Sequence, residues 1–156
     1  MTIADGLRLE FEKETRATRR YLERLPGDKL AWRPHAKSFT AGDLASHIVE
    51  CVSWTDAIFS SDEFNVDPAT FTPYRASSAG ALLETFDADV ARGTLALATV
   101  GDEGMTHPWR MMIKGKVRFE RPKAVVFRDF TLSHLIHHRG QLSVYLRLLD
   151  VPFPGA

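Results

Sequence analysis

Apolar side chains recur every three or four residues along four long segments of the chain, the spacing that places them on one face of an α-helix. In the first segment this face is formed by Leu7, Phe11, Leu22 and Leu25, and charged residues occupy the other faces. The loop after it contains helix-breaking prolines but also apolar residues, so we expect an ordered loop rather than a linker. The predicted helices cover residues 3–25, 41–61, 78–100 and 124–149.

The second predicted helix carries a histidine on its apolar face. Thr40 precedes the helix and Asp43 stands at its third position, which is the pattern of a capped helix start. Residues at three- and four-residue steps form an inner stripe, and His47 lies in it where a core leucine would be unremarkable. The stripe consists of Leu44, His47, Ile48, Cys51, Thr55 and Ile58.

The segments between the helices give weaker signals. The connection after the second helix contains two prolines and predicts no regular element. Ser77 or Ser78 caps the third helix, which Gly93 weakens without ending. Residues 101–123 mix turn residues with two short alternating pieces, which are compatible with a small hairpin. Four long helical patterns and almost no strand signal predict an all-α protein built as a helix bundle.

Three of the six histidines fall within five residues of the last predicted helix. At 100° per residue, His138 lies about forty degrees from His134, towards the centre of the apolar stripe, so both are expected to face the core. His137 lies about sixty degrees the other way, at the edge of the stripe, and Arg139 falls on the opposite face. We expect the terminal "DVPFPGA" to end this helix. The stripe used for this placement consists of Phe127, Phe130, Thr131 and Tyr145.

Two histidines four residues apart on one helix face can bind the same metal ion. Their Cβ atoms lie about 5–6 Å apart, and both imidazoles can reach an ion about 2.0–2.1 Å from each nitrogen. His47 is the only other histidine on the inner stripe of a predicted helix, so the three would form a facial set across two helices. The alternative is a set of hydrogen-bonded core histidines. The polar partners that the sequence offers for it are Gln141, Thr131 and Tyr145.

Other residues near these histidines have two interpretations each. Cys51, one turn after the histidine of the second helix, is a soft fourth ligand or, more commonly, a small buried hydrophobe. Glu50 either orients a ligand through a hydrogen bond or faces solvent. For His137 a flanking or dimer-contact role is favoured over that of a ligand. We expect His35 and His107, which stand next to prolines, to be exposed.

Composition limits the classes of function. A chain of 156 residues is the size of one domain, and we treat residues 1–156 as such. Twenty basic residues balance twenty acidic ones, which disfavours nucleic-acid binding. No apolar run approaches a membrane span and no secretory signal is recognisable, so a soluble cytoplasmic protein is expected. A single cysteine excludes a multi-cysteine zinc framework, so a bound metal would depend on histidine.

The segments around the histidines resemble a known family. "LASHIVECVSW" in the second helix, the "WRP" loop before it and "LSHLIHHRGQLSVYLRLLDVPFPG" at the end look like the DinB-like superfamily of bacterial metal-binding four-helix bundles, over essentially the whole chain. The resemblance implies a divalent metal bound by His47, His134 and His138. It also implies an up-down-down-up four-helix bundle with long crossover connections, and homodimers. Where many relatives have glycine after the last leucines, this chain has Asp150.

Activities known in that superfamily suggest a metal-dependent enzyme. The first hypothesis is a thiol S-transferase, in which an open position on the ion holds a low-molecular-weight thiol such as bacillithiol or mycothiol as thiolate. Water at the same position would give a hydrolase. A non-catalytic metal- or small-ligand-binding module and a metal-free structural protein remain as alternatives. In either enzyme, Gln141 or Tyr145 is expected to form a hydrogen bond near the ion.

The sequence does not identify the metal ion. Imidazole ligands suit zinc, nickel, iron and copper, so the ligand set does not select one of them. Because only neutral imidazoles bind metal, we expect binding to weaken as the pH falls through about 6.5.

Overall fold

The computed structural model describes residues 1–152, and three of its long helices begin at side-chain caps. Helix α1 (Ile3–Leu22) begins with a capping box, in which the Thr2 hydroxyl accepts the Asp5 N–H and the Asp5 carboxylate accepts the Thr2 N–H. Helices α2 (Ala41–Ser60) and α3 (Ala79–Ala98) start at Thr40 and Ser78, whose hydroxyls each accept an N–H three residues on. These three helices are confirmed, although α1 ends three residues earlier than predicted.

The long helices pack around a common apolar core. Helix α2 contacts α3 and the C-terminal helix α6 (His134–Leu148), and α1 contacts the same two helices on its own side. Most apolar residues that the helical spacing places inward are buried, and Val90 and Phe130 are half-buried. Gly93 brings α3 close to α2, since a Cβ atom at that position would lie 3.0 Å from the Cβ of Thr55 and 3.1 Å from the Phe11 ring.

A three-stranded sheet corrects the prediction of an all-α protein. Strands β2 (Pro108–Ile113) and β3 (Lys116–Pro122) form the hairpin that the sequence allowed, after a short helix α4 (Asp102–Thr106). Its turn residues Lys114 and Gly115 have φ of 50° and 74°, as in a type I′ turn. Strand β1 (Glu63–Val66) pairs in parallel with β2 and lies in the segment predicted as a plain connection. A strand of four residues is too short to give a recognisable alternating pattern, and the strand it pairs with lies far away in the chain.

The last helical region is interrupted by a π-helical turn, which the prediction of one α-helix did not include. It runs from α5 (Lys123–Phe127) through the π turn (Arg128–Ser133) into α6. A π turn holds more residues than an α turn, so residues before and after it do not share the phase of a straight helix.

This change of phase moves the buried face of α6. Its centre is formed by leucines, and on that face His134 lies at one edge and Arg139 at the other, about 140° apart. Arg139, predicted to face away from the core, has a side chain only 17% exposed because α6 packs between α1 and α2. The leucines that mark the centre of the face are Leu135, Leu142 and Leu146.

The C-terminal end of α6 adopts the left-handed cap that glycine commonly provides. Asp150 has φ of 55°, and the Val151 N–H donates to the Leu146 carbonyl at 2.9 Å, as in a Schellman motif. The remaining tail prediction concerns residues 153–156, which lie outside the described residues. No helix within residues 1–152 is long and apolar enough to cross a membrane.

Candidate functional site

Three histidine rings from two helices meet at one place beside the core. The ring of His47 on α2 lies 4.9 Å from that of His134 and 4.6 Å from that of His138, measured between centroids. The two rings of α6 are 4.7 Å apart. His138 is buried, whereas His47 and His134 are half-buried. The structure therefore brings together the three residues that the sequence singled out, at the edge of the core rather than at its centre.

Each of the three rings has a hydrogen-bond partner. His47 Nδ1 lies 3.1 Å from Glu50 Oε2, and His138 Nδ1 lies 2.7 Å from Gln141 Oε1. His134 has a hydrogen bond to the backbone of Phe130. Because a carboxylate accepts only, and the amide oxygen of Gln141 accepts, these partners place the proton of His47 and His138 on Nδ1. Nε2 is then the nitrogen that each of those rings has free for a ligand.

The inner nitrogens of His47 and His134 face each other. Their Nε2 atoms are 3.2 Å apart. Two nitrogens bound to one ion at about 2.0–2.1 Å lie roughly 3.0–3.4 Å apart, so this separation fits a shared divalent ion. Without an ion or a proton between them, two lone pairs would meet at that distance. The donor set of imidazole nitrogens is one that zinc, nickel and iron accept.

Burial keeps two of these imidazoles neutral. Loss of solvation lowers the pKa of His134, and the neighbouring His47 adds to this effect. Burial likewise lowers the pKa of His138 to about 4, although its hydrogen bond to Gln141 acts in the opposite direction. Because a metal ion binds the neutral ring, these lowered pKa values reduce competition from protons.

Cys51 lies within reach of the same point. Its Sγ and one ring nitrogen each of His47 and His134 all lie within 4.8 Å of one another, a group that can hold a metal ion. Among the described residues this group contains Cys51 in the place that the sequence analysis gave to His138. Cys51 is buried, and burial raises the pKa of its thiol to about 12. The thiol is therefore protonated at neutral pH, which matches a small buried side chain better than a free thiolate.

The outer partners differ in part from those predicted. Gln141 accepts from His138 and its amide nitrogen lies 3.1 Å from Nε2 of the exposed His137, so it links these two rings. Tyr145, predicted to form a hydrogen bond near the ion, instead donates to the Phe39 carbonyl at 3.1 Å. Its ring packs edge-on against Trp32, which helps to hold the hydroxyl on the Phe39 carbonyl. His35 and His107 are exposed, as predicted.

Glu50 joins the histidines to the wall of a pocket. One carboxylate oxygen contacts His47, and the other accepts the backbone N–H of Tyr74 at 2.7 Å. Tyr74 belongs to the connection between β1 and α3, which Ser46 also holds through the Ala76 N–H at 3.0 Å. Of the two interpretations of Glu50, the structure supports the one in which it orients a histidine.

The pocket opens beside His47 and His134 and has a volume of about 610 Å³. This volume is typical of sites for small molecules. Helix α2 supplies one wall, and strand β1, the following connection and the π turn supply the others. Its aromatic lining residues are Trp54, Phe64, Phe71, Tyr74 and Phe130.

Two features of the site were missed by the sequence analysis. The pocket depends on β1 and on the π turn, neither of which the pattern predicts. Arg139, next to His138, forms a 2.6 Å ion pair with Glu14 of α1 that is largely buried and fixes α6 against α1. A charged residue beside the histidine pair was the only signal for this ion pair.

Comparison with known proteins agrees with this architecture. The model of the DinB family matches residues 4–155. A DinB-like protein of Bacillus cereus, known from its crystal structure, is 21% identical with a TM-score of 0.71, and the match covers 92% of this chain and 90% of that one. A DinB-like protein of Bacillus subtilis is 18% identical with a TM-score of 0.71, over 95% and 96% of the two chains. A search of curated proteins gave no match. Because the family model matches nearly the whole chain, the chain belongs to the DinB family.

Proposed function

We propose that this protein binds a divalent metal ion through His47, His134 and His138 and acts as a metal-dependent thiol S-transferase. The observation that carries the proposal is the packing of three imidazole rings against one another, with Glu50 and Gln141 orienting two of them and with His47 and His134 lining a pocket. A purely structural metal site would be enclosed by protein ligands, whereas this one borders a cavity that a small molecule can enter.

Bound at this position, a divalent ion would lower the pKa of a small thiol so that its sulfur is a thiolate at neutral pH. The three histidines would hold the ion, with Glu50 and Gln141 keeping two of the rings in place. The pocket would hold an electrophile beside the sulfur. In the reaction a sulfur–carbon bond forms, the bond from that carbon to its leaving group breaks, and the leaving group departs with the electron pair.

The fold details that the resemblance implies belong to the same proposal. Four long helices pair in the way that a bundle requires, α2 with α3 and α6, and α1 with α3 and α6. The up-down-down-up order with long crossovers and the homodimer remain proposals.

The metal site can be tested by elemental analysis of untagged protein purified without chelator. We expect about one divalent ion per chain in the parent and almost none in a His134→Ala/His138→Ala double variant. A His35→Ala/His107→Ala variant is the matched control, because it removes two exposed histidines and should keep the ion. Cys51→Ala should also keep it, since we assign the third neutral donor to His138. A double variant that stays fully loaded would contradict the proposed site.

The reaction can be tested with the loaded protein, a thiol and an aryl halide. Loss of free thiol with release of halide, abolished by chelation and restored by the ion, would support a transferase. Metal-dependent ester cleavage without thiol consumption would favour the hydrolase instead. Stoichiometric metal with neither reaction would leave a non-catalytic binding module.

A further inference from the structure

We propose that the pocket beside the histidines binds an uncharged aromatic molecule, and that this is the class of the second substrate. That the bound molecule is a substrate rests on the proposed function, whereas the binding site itself is inferred from the pocket.

The walls of the pocket are built from aromatic rings in edge-to-face contact. Trp54 lies at the centre, with its ring 4.9 Å from that of Phe64 and 5.5 Å from that of Phe130. Interplanar angles of 69° and 68° leave ring faces and edges available to a planar guest. Such arrangements add attraction beyond simple burial of apolar area, so a flat conjugated molecule gains more here than an aliphatic one.

The charge of the walls excludes ionic guests. Among the described residues that line the pocket there is no lysine or arginine, so a carboxylate or phosphate would find no cation in the walls. The one carboxylate is Glu50, whose two oxygens already contact His47 and the Tyr74 N–H. An organic cation would compete with the ion that we place at the adjacent histidines. A neutral molecule needs no cation in the walls and does not compete with the ion, so its binding carries neither of these costs.

The walls are held in place without a ligand. Tyr74 is fixed at its backbone by Glu50 and at its hydroxyl, which lies 3.0 Å from Thr85 Oγ1. Phe64 is part of a paired strand, and Phe130 belongs to the π turn, which packs against α2. A preformed pocket loses little free energy in ordering its walls, so binding should be detectable with a small probe.

The test compares three probes that share one ring system, namely 2-naphthol, 2-naphthoate and 2-naphthyltrimethylammonium. Binding is measured by calorimetry at neutral pH on the full-length protein. 2-Naphthoate is compared with 2-naphthol on EDTA-treated protein, so that no ion can recruit the carboxylate. 2-Naphthyltrimethylammonium is compared with 2-naphthol on zinc-loaded protein, because the cost to a cation comes from the adjacent ion. We expect 2-naphthol to bind at least tenfold more tightly than either charged probe. Equal or tighter binding of a charged probe, or no binding of 2-naphthol up to its solubility, would overturn the proposal.

A variant that fills the pocket locates the site. Ala57→Leu adds bulk to the lining, and we expect it to weaken 2-naphthol binding at least tenfold. Ala88→Leu, the same change at an exposed position of α3, should leave binding unchanged. Should Ala57→Leu fail to fold, Ser53→Leu at an exposed position of the lining replaces it. Unaltered affinity in a folded pocket variant would place the probe elsewhere and refute the inference.

The outcome separates this inference from the proposed function. Loss of metal or thiol transfer with intact 2-naphthol binding would refute the transferase and keep the pocket. Stoichiometric metal without 2-naphthol binding would refute the inferred pocket ligand and leave the proposed metal site intact.

Discussion

At the scale of single residues, the chemistry of the site depends on which nitrogen carries the proton. Glu50 and Gln141 accept from the outer nitrogens of His47 and His138, which leaves the inner ones free. The sequence predicted the histidines, but it offered Tyr145 and Gln141 equally as partners. The choice between them follows from packing, because Tyr145 is held against Trp32 and donates to Phe39.

The pKa of His138 predicts how the metal-free protein responds to acid. The unfolded chain takes up a proton near pH 6.5, whereas the folded protein does so only near pH 4. Between these values the unfolded state binds more protons, so stability falls as the pH is lowered from about 6.5 to 4, by up to about 3 kcal/mol. Urea unfolding of EDTA-treated protein across this range would measure the loss.

A His138→Gln variant is the control for this effect. It removes the titrating ring, so its unfolding free energy should vary less between pH 6.5 and pH 4 than that of the parent. Identical pH profiles would show that His138 is not the group responsible. Metal binding should accordingly persist somewhat below the pH of about 6.5 expected for exposed histidines.

Asp150 offers a second prediction at this scale. Its φ of 55° is a conformation that glycine adopts without the clash that a Cβ atom causes. We expect Asp150→Gly to stabilise the protein by about 0.5–1 kcal/mol, measured by urea unfolding. Asp150→Asn removes the same charge from the helix C-terminus but keeps the Cβ, so a glycine variant no more stable than the asparagine variant would contradict the argument.

At the scale of elements, helix α6 contributes both to the histidine site and to the contact with α1, because it packs between α1 and α2. The edge of its buried face towards α2 carries His134, and the edge towards α1 carries Arg139, which pairs with Glu14. The predicted centre of this face was wrong because three of the four residues used to place it lie before α6, one in α5 and two within the π turn. The correct centre sets the histidines beside the pocket rather than deep in the core.

Gly93 tests the contact between α2 and α3. Alanine is favoured over glycine inside a helix by about 1 kcal/mol, but here its methyl group would lie 3.0 Å from the side chain of Thr55. We expect Gly93→Ala to destabilise the protein by about 1–2 kcal/mol in denaturant unfolding. Gly6→Ala, in α1 with nothing within 4 Å of the added methyl, should instead stabilise it. If both variants were stabilised alike, the close approach of the helices would be refuted.

At the scale of the whole molecule, the small sheet supplies part of the wall of the pocket beside the helices. Trp109 of β2 is fully buried and anchors the sheet against the helices. Phe64 of the neighbouring strand then lines the pocket next to Trp54 of α2. The cavity thus lies where two kinds of secondary structure meet, with the histidines at its edge.

An exposed apolar face of α6 gives a prediction about the proposed homodimer. Ile136, Val144 and Leu148 are 39%, 43% and 57% exposed and, with Gly140, recur every four residues along one face. We expect a homodimer that packs along this face, where the glycine allows close approach. Val144→Lys should shift the protein towards a monomer in analytical ultracentrifugation, whereas Leu95→Lys on exposed α3 should not. A parent that is monomeric at micromolar concentration would rule this out.

Much of the fold can be read from the sequence because helices are encoded locally. Three- and four-residue spacing predicted α1, α2 and α3 and most of the core residues on them, and hydroxyl caps marked the starts of α2 and α3. The hairpin was visible as a turn between short alternating pieces. The i, i+4 histidines of the last helix and His47 were visible for the same reason, since spacing along a helix converts directly into a shared face.

What the sequence determined by itself was therefore which residues form helices and which histidines face inward. Only the tertiary structure decided that β1 pairs with β2, that α6 packs between α1 and α2, and that the histidines border an aromatic pocket. The physical reason is that these features depend on contacts between residues far apart in the chain. A four-residue strand or a π turn has no periodic pattern long enough to reveal it.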